Sequence, residues 1–295
     1  MPRQVTAMHS PEGLQACRMM KDVLTDIVAH KREEVDQYKR TVTPDFLRNQ
    51  VTRLVEQTGR LRRISMKQSL AQSPTGIIAE FKRRSPSKGW IHQDAQSDLI
   101  PPAYEAAGAA ALSILTDQPF FGGSLRDIRL ARPLVSLPIL RKDFIIDEYQ
   151  LLQARMAEAD AVLLIAACLS REECATLMGQ AHELGLEVLL EIHSEPELAY
   201  VGLGADMVGV NNRNLGTFVT DVQNSFRLAA ALQQELARVA VESPIPPLLV
   251  SESGISHPDV VRRLRLAGFR GFLMGEAFMK TDSPADALRD FINAL

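Results

Sequence analysis

The chain has 295 residues, is 46% hydrophobic and 23% charged, and carries a formal net charge of −3. That length exceeds a typical single domain but suits an α/β barrel, and the near balance of charge argues against a nucleic-acid or membrane-surface protein. No apolar run approaches a membrane span, and Cys17, Cys168 and Cys174 are too few for a disulfide framework and lack zinc-site spacing, so a reducing, cytoplasmic setting is expected.

Residues 1–19 contain Pro2, Arg3, His9, Pro11, Glu12 and Gly13 and no apolar signal core. They read as a loose polar leader, a candidate for disorder, with Met20 as an alternative start. Residues 20–39 place Val23, Leu24, Ile27, Val28 and Val35 at helical spacing among charged residues, which predicts an amphipathic helix. Two further helical pieces are predicted over 44–57, opened by Thr43-Pro44-Asp45, and 60–71.

From residue 76 the texture alternates between strand and helix. Eight short apolar runs recur: Ile77–Phe81, Ala111–Leu115, Pro138–Arg141, Ala161–Ile165, Val188–Ile192, Met207–Val210, Leu248–Ser251 and Gly271–Met274. Helical segments are predicted between them, at 147–158, 171–184, 221–239 and 257–267. Gly108, Gly185 and Gly268 stand where helices should stop. The pattern predicts a (β/α)8 TIM barrel with an N-terminal helical extension over 20–75, the whole of 20–295 forming one domain. An open doubly wound sheet is the alternative, but the chain has no G-x-G-x-x-G loop.

In such a barrel the active site lies at the C-terminal ends of the strands. Strand one ends in Glu80-Phe81-Lys82, whose charged side chains share a face, followed by Arg83-Arg84-Ser85-Pro86-Ser87-Lys88-Gly89. A charged pair at the end of a core strand is costly to bury, which points to chemistry rather than stability. The hydroxyls, N–H groups and Lys88 of the turn suit an anion. Strand two runs into Thr116-Asp117 and Phe120-Phe121-Gly122-Gly123-Ser124; strand three ends in Arg141-Lys142-Asp143-Phe144. Strand four brings no charge. Strands five to eight end in Glu191-Ile192-His193, Asn211-Asn212-Arg213-Asn214, Ser251-Glu252-Ser253-Gly254-Ile255 and Met274-Gly275-Glu276.

Taken singly, most of these residues have ordinary explanations. Asp117, Asp143 and Asp147 read as helix caps or loop hydrogen-bonders, His193 as a polar loop residue, Phe120, Phe121 and Phe144 as rim packing, and the cysteines as small apolar fillers. Together, lysines and carboxylates from strands one, three, five and seven converge on one mouth, where paired environments can set up acid–base chemistry. The small residues after strands seven and eight offer a phosphate site. The expected ligand is a phosphorylated small molecule with an apolar or aromatic part. No metal cluster or dinucleotide fingerprint is seen, so no cofactor is expected.

These segments, in order along the chain from about residue 20 to its C-terminus, closely resemble the indole-3-glycerol-phosphate synthase family of tryptophan biosynthesis. The resemblance implies a cofactor-free conversion of 1-(2-carboxyphenylamino)-1-deoxyribulose 5-phosphate into indole-3-glycerol phosphate, with loss of carbon dioxide and water. By motif, Lys142 resembles the general acid and Glu191 its acid–base partner, with Glu80 and Lys82 as the supporting pair. Asn211 and Glu252 resemble hydrogen-bonding residues near the reacting centre, joined by Arg213 and Ser253. Ser85, Gly254, Gly275 and Glu276 resemble substrate and phosphate contacts. Phe144, Leu163 or Leu164, and Leu215 suit the aromatic wall. Two segments depart from the family pattern: Glu276, whose carboxylate is expected to turn from a phosphate and offer only its N–H, and the polar, proline-containing stretch 91–102. The rivals are another phosphate-binding barrel enzyme, such as a ketose isomerase, and a non-catalytic binding barrel. A monomer, or at most a homodimer, with a single activity is expected.

Overall fold

The computed structural model describes residues 11–58, 64–214, 219–242 and 246–295, with side chains from Val23 onward; the side chains of Thr58 and Glu242 are outside that description. Eight strands form a closed parallel barrel: β1 (Ile77–Phe81), β2 (Ala111–Leu115), β3 (Ile139–Lys142), β4 (Ala161–Ile165), β5 (Glu187–Ile192), β6 (Met207–Asn211), β7 (Leu248–Glu252) and β8 (Gly271–Met274). Closure joins β1 to β8, with Ile77 opposite Phe272 and Ala79 opposite Met274. All eight predicted runs are strands, with ends moved by one residue at most. The doubly wound alternative is excluded by the closure.

Side-chain alternation divides the apolar residues into two layers. Ile78, Leu140, Leu163, Leu189, Val250 and Leu273 point into the barrel. Their chain neighbours, including Ile77, Leu164, Val188 and Leu190, face the surrounding helices. Leu163, rather than Leu164, is therefore the inward residue of β4. The same alternation carries Glu80 inward after Ile78.

The first three helices are α1 (Pro11–Thr41), α2 (Pro44–Thr58) and α3 (Met66–Gln72). Helix α1 begins nine residues before the predicted start at Met20, so only residues 1–10 of the proposed leader lie outside the described residues. Helix α3 closes the N-terminal face of the barrel with Met66 and Leu70, both buried in the inner layer. Ser65 caps α3 at the N–H of Gln68 and donates to Glu187 at the start of β5, while Ser69 Oγ donates to the carbonyl of Ala110.

The barrel helices are α4 (Ile100–Ala106), the one-turn α5 (Gln118–Phe121), α6 (Leu125–Ala131), α7 (Glu148–Met156), α8 (Arg171–Glu183), α9 (Gln223–Glu242), α10 (Pro258–Leu266), the one-turn α11 (Glu276–Met279) and α12 (Pro284–Asn293). After β5 the chain makes a 3-10 segment, Glu195–Leu203, in place of an α-helix. Pro101 falls in the first turn of α4, where a missing N–H breaks no helical bond. Asp117 and Asp147 cap α5 and α7, as expected of them. No described helix is long and apolar enough to cross a membrane.

Candidate active site

Strand direction brings the charged ends of β1, β3, β5 and β7 to one mouth. Lys142 lies at the centre. Its Nζ is 2.7 Å from Glu252 Oε2, 3.7 Å from Glu80 Oε2 and 3.9 Å from Glu191 Oε2. Lys82, just past β1, pairs with the other oxygen of Glu80 at 2.6 Å. All five side chains are largely buried. Three carboxylates share two ammoniums, which leaves the cluster short of positive charge, and burial magnifies the imbalance.

The titration of the cluster follows from that imbalance. Burial alone would lower the pKa of Lys142, but Glu252, Glu80 and Glu191 together push it well above the usual lysine value. Glu252 is driven up to about 7, chiefly by burial and by the Glu191 and Glu80 charges, against the pull of Lys142. Glu191 is held down at about 2: burial opposes ionisation, but His193, Lys142 and Asn211 outweigh it. Glu80 is also lowered, Lys82 and Lys142 overcoming its burial. Neighbouring carboxylates with values pushed apart are what acid–base catalysis requires.

Two close backbone approaches make room for these acids. A Cβ on Gly275 would sit 2.4 Å from Glu80 Oε1, and one on Gly209 would sit 2.1 Å from Glu252 Oε1. Gly275 thus shapes the site through what it lacks. Ser253, next to Glu252, is held at a left-handed φ of 68°, a strained arrangement typical of functional loops.

The cluster opens into a cleft of about 110 Å³, walled by Phe121, Phe144, Leu163 and Ile165 and reached by Glu80, Lys82, Lys142, Glu191, Asn211 and Arg213. A second lobe joins it at Glu80, Lys82, Arg213 and Ser253, and continues to Gly254, Gly275, Glu276 and Lys280. Arg213 there donates to Ser87 Oγ at 2.9 Å and to Glu276 Oε2 at 3.2 Å, with Lys88 3.9 Å from the same carboxylate. Glu276 lines the lobe, its charge offset by these two cations. Glu252 lies beneath the cleft floor, fully buried. The hydroxyl of Ser85 turns into its own loop, 3.5 Å from Ser87 Oγ and 3.3 Å from the N–H of Lys88, and does not line either lobe. Leu215 lies outside the described residues.

Three contributors were not assigned to the site from the sequence. Val23, Leu24 and Ile27 of α1 close the apolar side of the cleft. One turn beyond Ile27, Lys31 is buried against Asp117 at 2.9 Å, Asp143 at 3.0 Å and Glu34 at 2.6 Å, which fastens α1 across the mouth. Asp143 is itself fully engaged, accepting from Thr116 Oγ1, Arg141 Nη2 and the N–H of Phe144. The available signal was a lysine on the apolar stripe, since Ile27, Lys31 and Val35 share one face at four-residue spacing. His193 is the third, its Nε2 3.2 Å from Glu191 Oε1.

A closed (β/α)8 barrel with a buried acid–base cluster at its C-terminal mouth defines the class. A family model for indole-3-glycerol phosphate synthase matches residues 24–291. An indole-3-glycerol phosphate synthase of Bacteroides thetaiotaomicron is 59% identical over 276 residues, covering 94% of this chain and all of the relative. That of Neisseria meningitidis serogroup B is 43% identical, covering 89% and 96% of the two chains. The chain belongs to the indole-3-glycerol phosphate synthase family. A mutant tryptophan synthase α-subunit from Pyrococcus furiosus, 15% identical with a TM-score of 0.55 over 75% of this chain and 97% of that one, shares the barrel fold.

Proposed function

We propose that the protein is an indole-3-glycerol-phosphate synthase, acting as a carboxy-lyase on 1-(2-carboxyphenylamino)-1-deoxyribulose 5-phosphate. The observation that carries this, beside family membership, is Lys142 set among Glu80, Glu191 and Glu252 in an apolar-walled cleft with a basic annex. The aromatic ring of the substrate packs in the cleft against Phe144, Phe121 and Leu163. Its phosphate takes the lobe beside Arg213, Gly254 and Gly275.

Lys142 donates to the substrate ketone as the ring carbon attacks it. Negative charge grows on that oxygen in the transition state, so a fixed ammonium in a dry site helps there more than in the ground state. Loss of carbon dioxide restores ring aromaticity. Glu191, ionised at rest, accepts the proton released in the closing dehydration and passes it to the departing hydroxyl, which leaves as water. Glu80 and Lys82 hold one another and Lys142 in register, Asn211 and Ser253 border the reacting end, and Glu252 fixes the ammonium of Lys142. None of these steps needs a metal or organic cofactor.

Incubation with the carboxyphenylamino-deoxyribulose phosphate should yield indole fluorescence and release one carbon dioxide per turnover. Lys142→Ala and Glu191→Gln should each lower kcat by about 10²–10⁴-fold, the usual worth of one positioned proton-transfer group, with unfolding midpoints little changed. Unaltered turnover in folded variants would remove both assignments.

A further inference from the structure

His193 follows β5 and was expected to be a loop residue, yet its side chain is only 12% exposed. It stands between two carboxylates. Nε2 is 3.2 Å from Glu191 Oε1, and Nδ1 is 3.6 Å from Glu197 Oε2 in the 3-10 segment behind it. These are ion-pair distances with off-axis geometry rather than in-line hydrogen bonds. The backbone fixes the placement from both sides: the His193 N–H donates to Glu197 Oε2 at 2.6 Å, and Asn224 Nδ2 of α9 donates to the His193 carbonyl.

The groups facing this ring are few. Glu191 comes from β5 and Glu197 from the 3-10 segment, while Asn224 of α9 holds the His193 carbonyl and the Cys168 thiol, in the turn after β4, lies in the field of the same two glutamates. Burial and the same two glutamates push that thiol up to about 12, so it stays neutral. Across Glu191 lie Lys142 of β3 and Asn211 of β6. Among the described residues, the charged groups that act on the ring are the two anions Glu191 and Glu197.

We propose that His193, as an imidazolium braced by Glu197, is the positioning residue for Glu191, holding its carboxylate in place so that it enters each turnover as the proton acceptor. Lys142 is 3.9 Å from Glu191 and its short contact is to Glu252, so Lys142 alone does not fix the Glu191 carboxylate. His193 supplies the nearer cation from the opposite side. Its raised pKa, about 9, set by contacts to Glu191 and Glu197 that outweigh burial, agrees with a ring charged throughout the neutral range.

This inference rests on Glu191 being the acid–base partner, and the test separates the two. The measurement is kcat against pH for the parent, His193→Asn, His193→Lys, Glu197→Gln and Glu191→Gln. A cation within about 4–6 Å lowers a carboxylate pKa by about 1–3 units, so His193→Asn should move the acid limb of kcat upward by about that much. His193→Lys, which restores a cation, should bring the limb back toward the parent position. Glu197→Gln removes the group that helps hold the proton on His193, so it should bring the alkaline limb of kcat, where the imidazolium is lost, to lower pH, and it serves if His193→Asn does not fold. An acid limb that stays put in His193→Asn, or an alkaline limb that stays put in Glu197→Gln if that variant alone folds, while Glu191→Gln is inactive, overturns the positioning role alone. A Glu191→Gln enzyme with parental turnover overturns the role of Glu191 instead.

Discussion

At the scale of single residues, the site depends as much on absent atoms as on charged ones. Gly275 has a negative φ of −131°, so alanine there meets a steric problem rather than a backbone one. The added methyl would fall 2.4 Å from Glu80 Oε1 and 2.8 Å from Glu80 Cβ. Glu80 must then rotate off Lys82 and Lys142. Gly275→Ala should reduce kcat/KM by about 10²-fold, the scale of an ångström's misplacement in a catalytic group, and steady-state kinetics on the folded variant would show it. The resemblance named Gly275 as a phosphate contact and Glu80 as one of a supporting pair. That the two touch was not legible, because the pairing of β1 with β8 joins positions nearly 200 residues apart.

At the scale of elements, α1 is the part of the extension that meets the site. A helix laid over a barrel mouth by Val23, Leu24 and Ile27 alone could slide. Lys31 stops that by entering between Asp117 and Asp143, the residues that begin the loops after β2 and β3. Its pKa is pushed above the ordinary lysine value, Asp143 and Asp117 outweighing burial. Lys31→Met would remove the cation that the two buried aspartates share, leaving Asp143 to Arg141 alone and Asp117 without the lysine it pairs with. A loss of about 3–5 kcal/mol is expected on breaking such a buried arrangement, measurable by urea unfolding, together with a rise in KM as the α1 wall loosens. The amphipathic pattern disclosed this helix, and α2 matches its predicted bounds to one residue. What the pattern left open was the partner. Periodicity reports that a face is buried, not which surface buries it.

At the scale of the whole molecule, the site makes stability depend on pH in two opposite ways. Asp143, Glu80 and Glu191 are all held below their unfolded values of 3.8, 4.5 and 4.5. The folded chain binds their protons less readily than the unfolded chain does, so their contribution is present above those values and is lost as pH falls, toward about 2 for Glu191. Glu252 behaves oppositely. Raised from 4.5 to about 7, it keeps its proton in the folded state where the unfolded chain has lost it, so stability declines as pH rises across that interval. Urea unfolding between pH 2 and 8 should therefore rise steeply out of acid. The decline from pH 4.5 to 7 should flatten in Glu252→Gln.

The sequence by itself determined the eight strands, their order and the identities of most residues at their ends. Those follow from local rules: an apolar run of four or five residues, a glycine after several of the helices, and side chains that alternate along a strand. It disclosed Lys142, Glu191, Glu80 and Lys82 because charge at the end of a buried strand is conspicuous in one dimension. Only the tertiary structure decided which charges meet. It set Glu252 as the close partner of Lys142, turned Ser85 away from the cleft, drew Lys31 from a distant helix into the mouth, and made His193 a neighbour of Glu191. Those outcomes depend on barrel closure and on side-chain directions at the rim, where contacts between groups far apart in the chain set distance, burial and hence charge state.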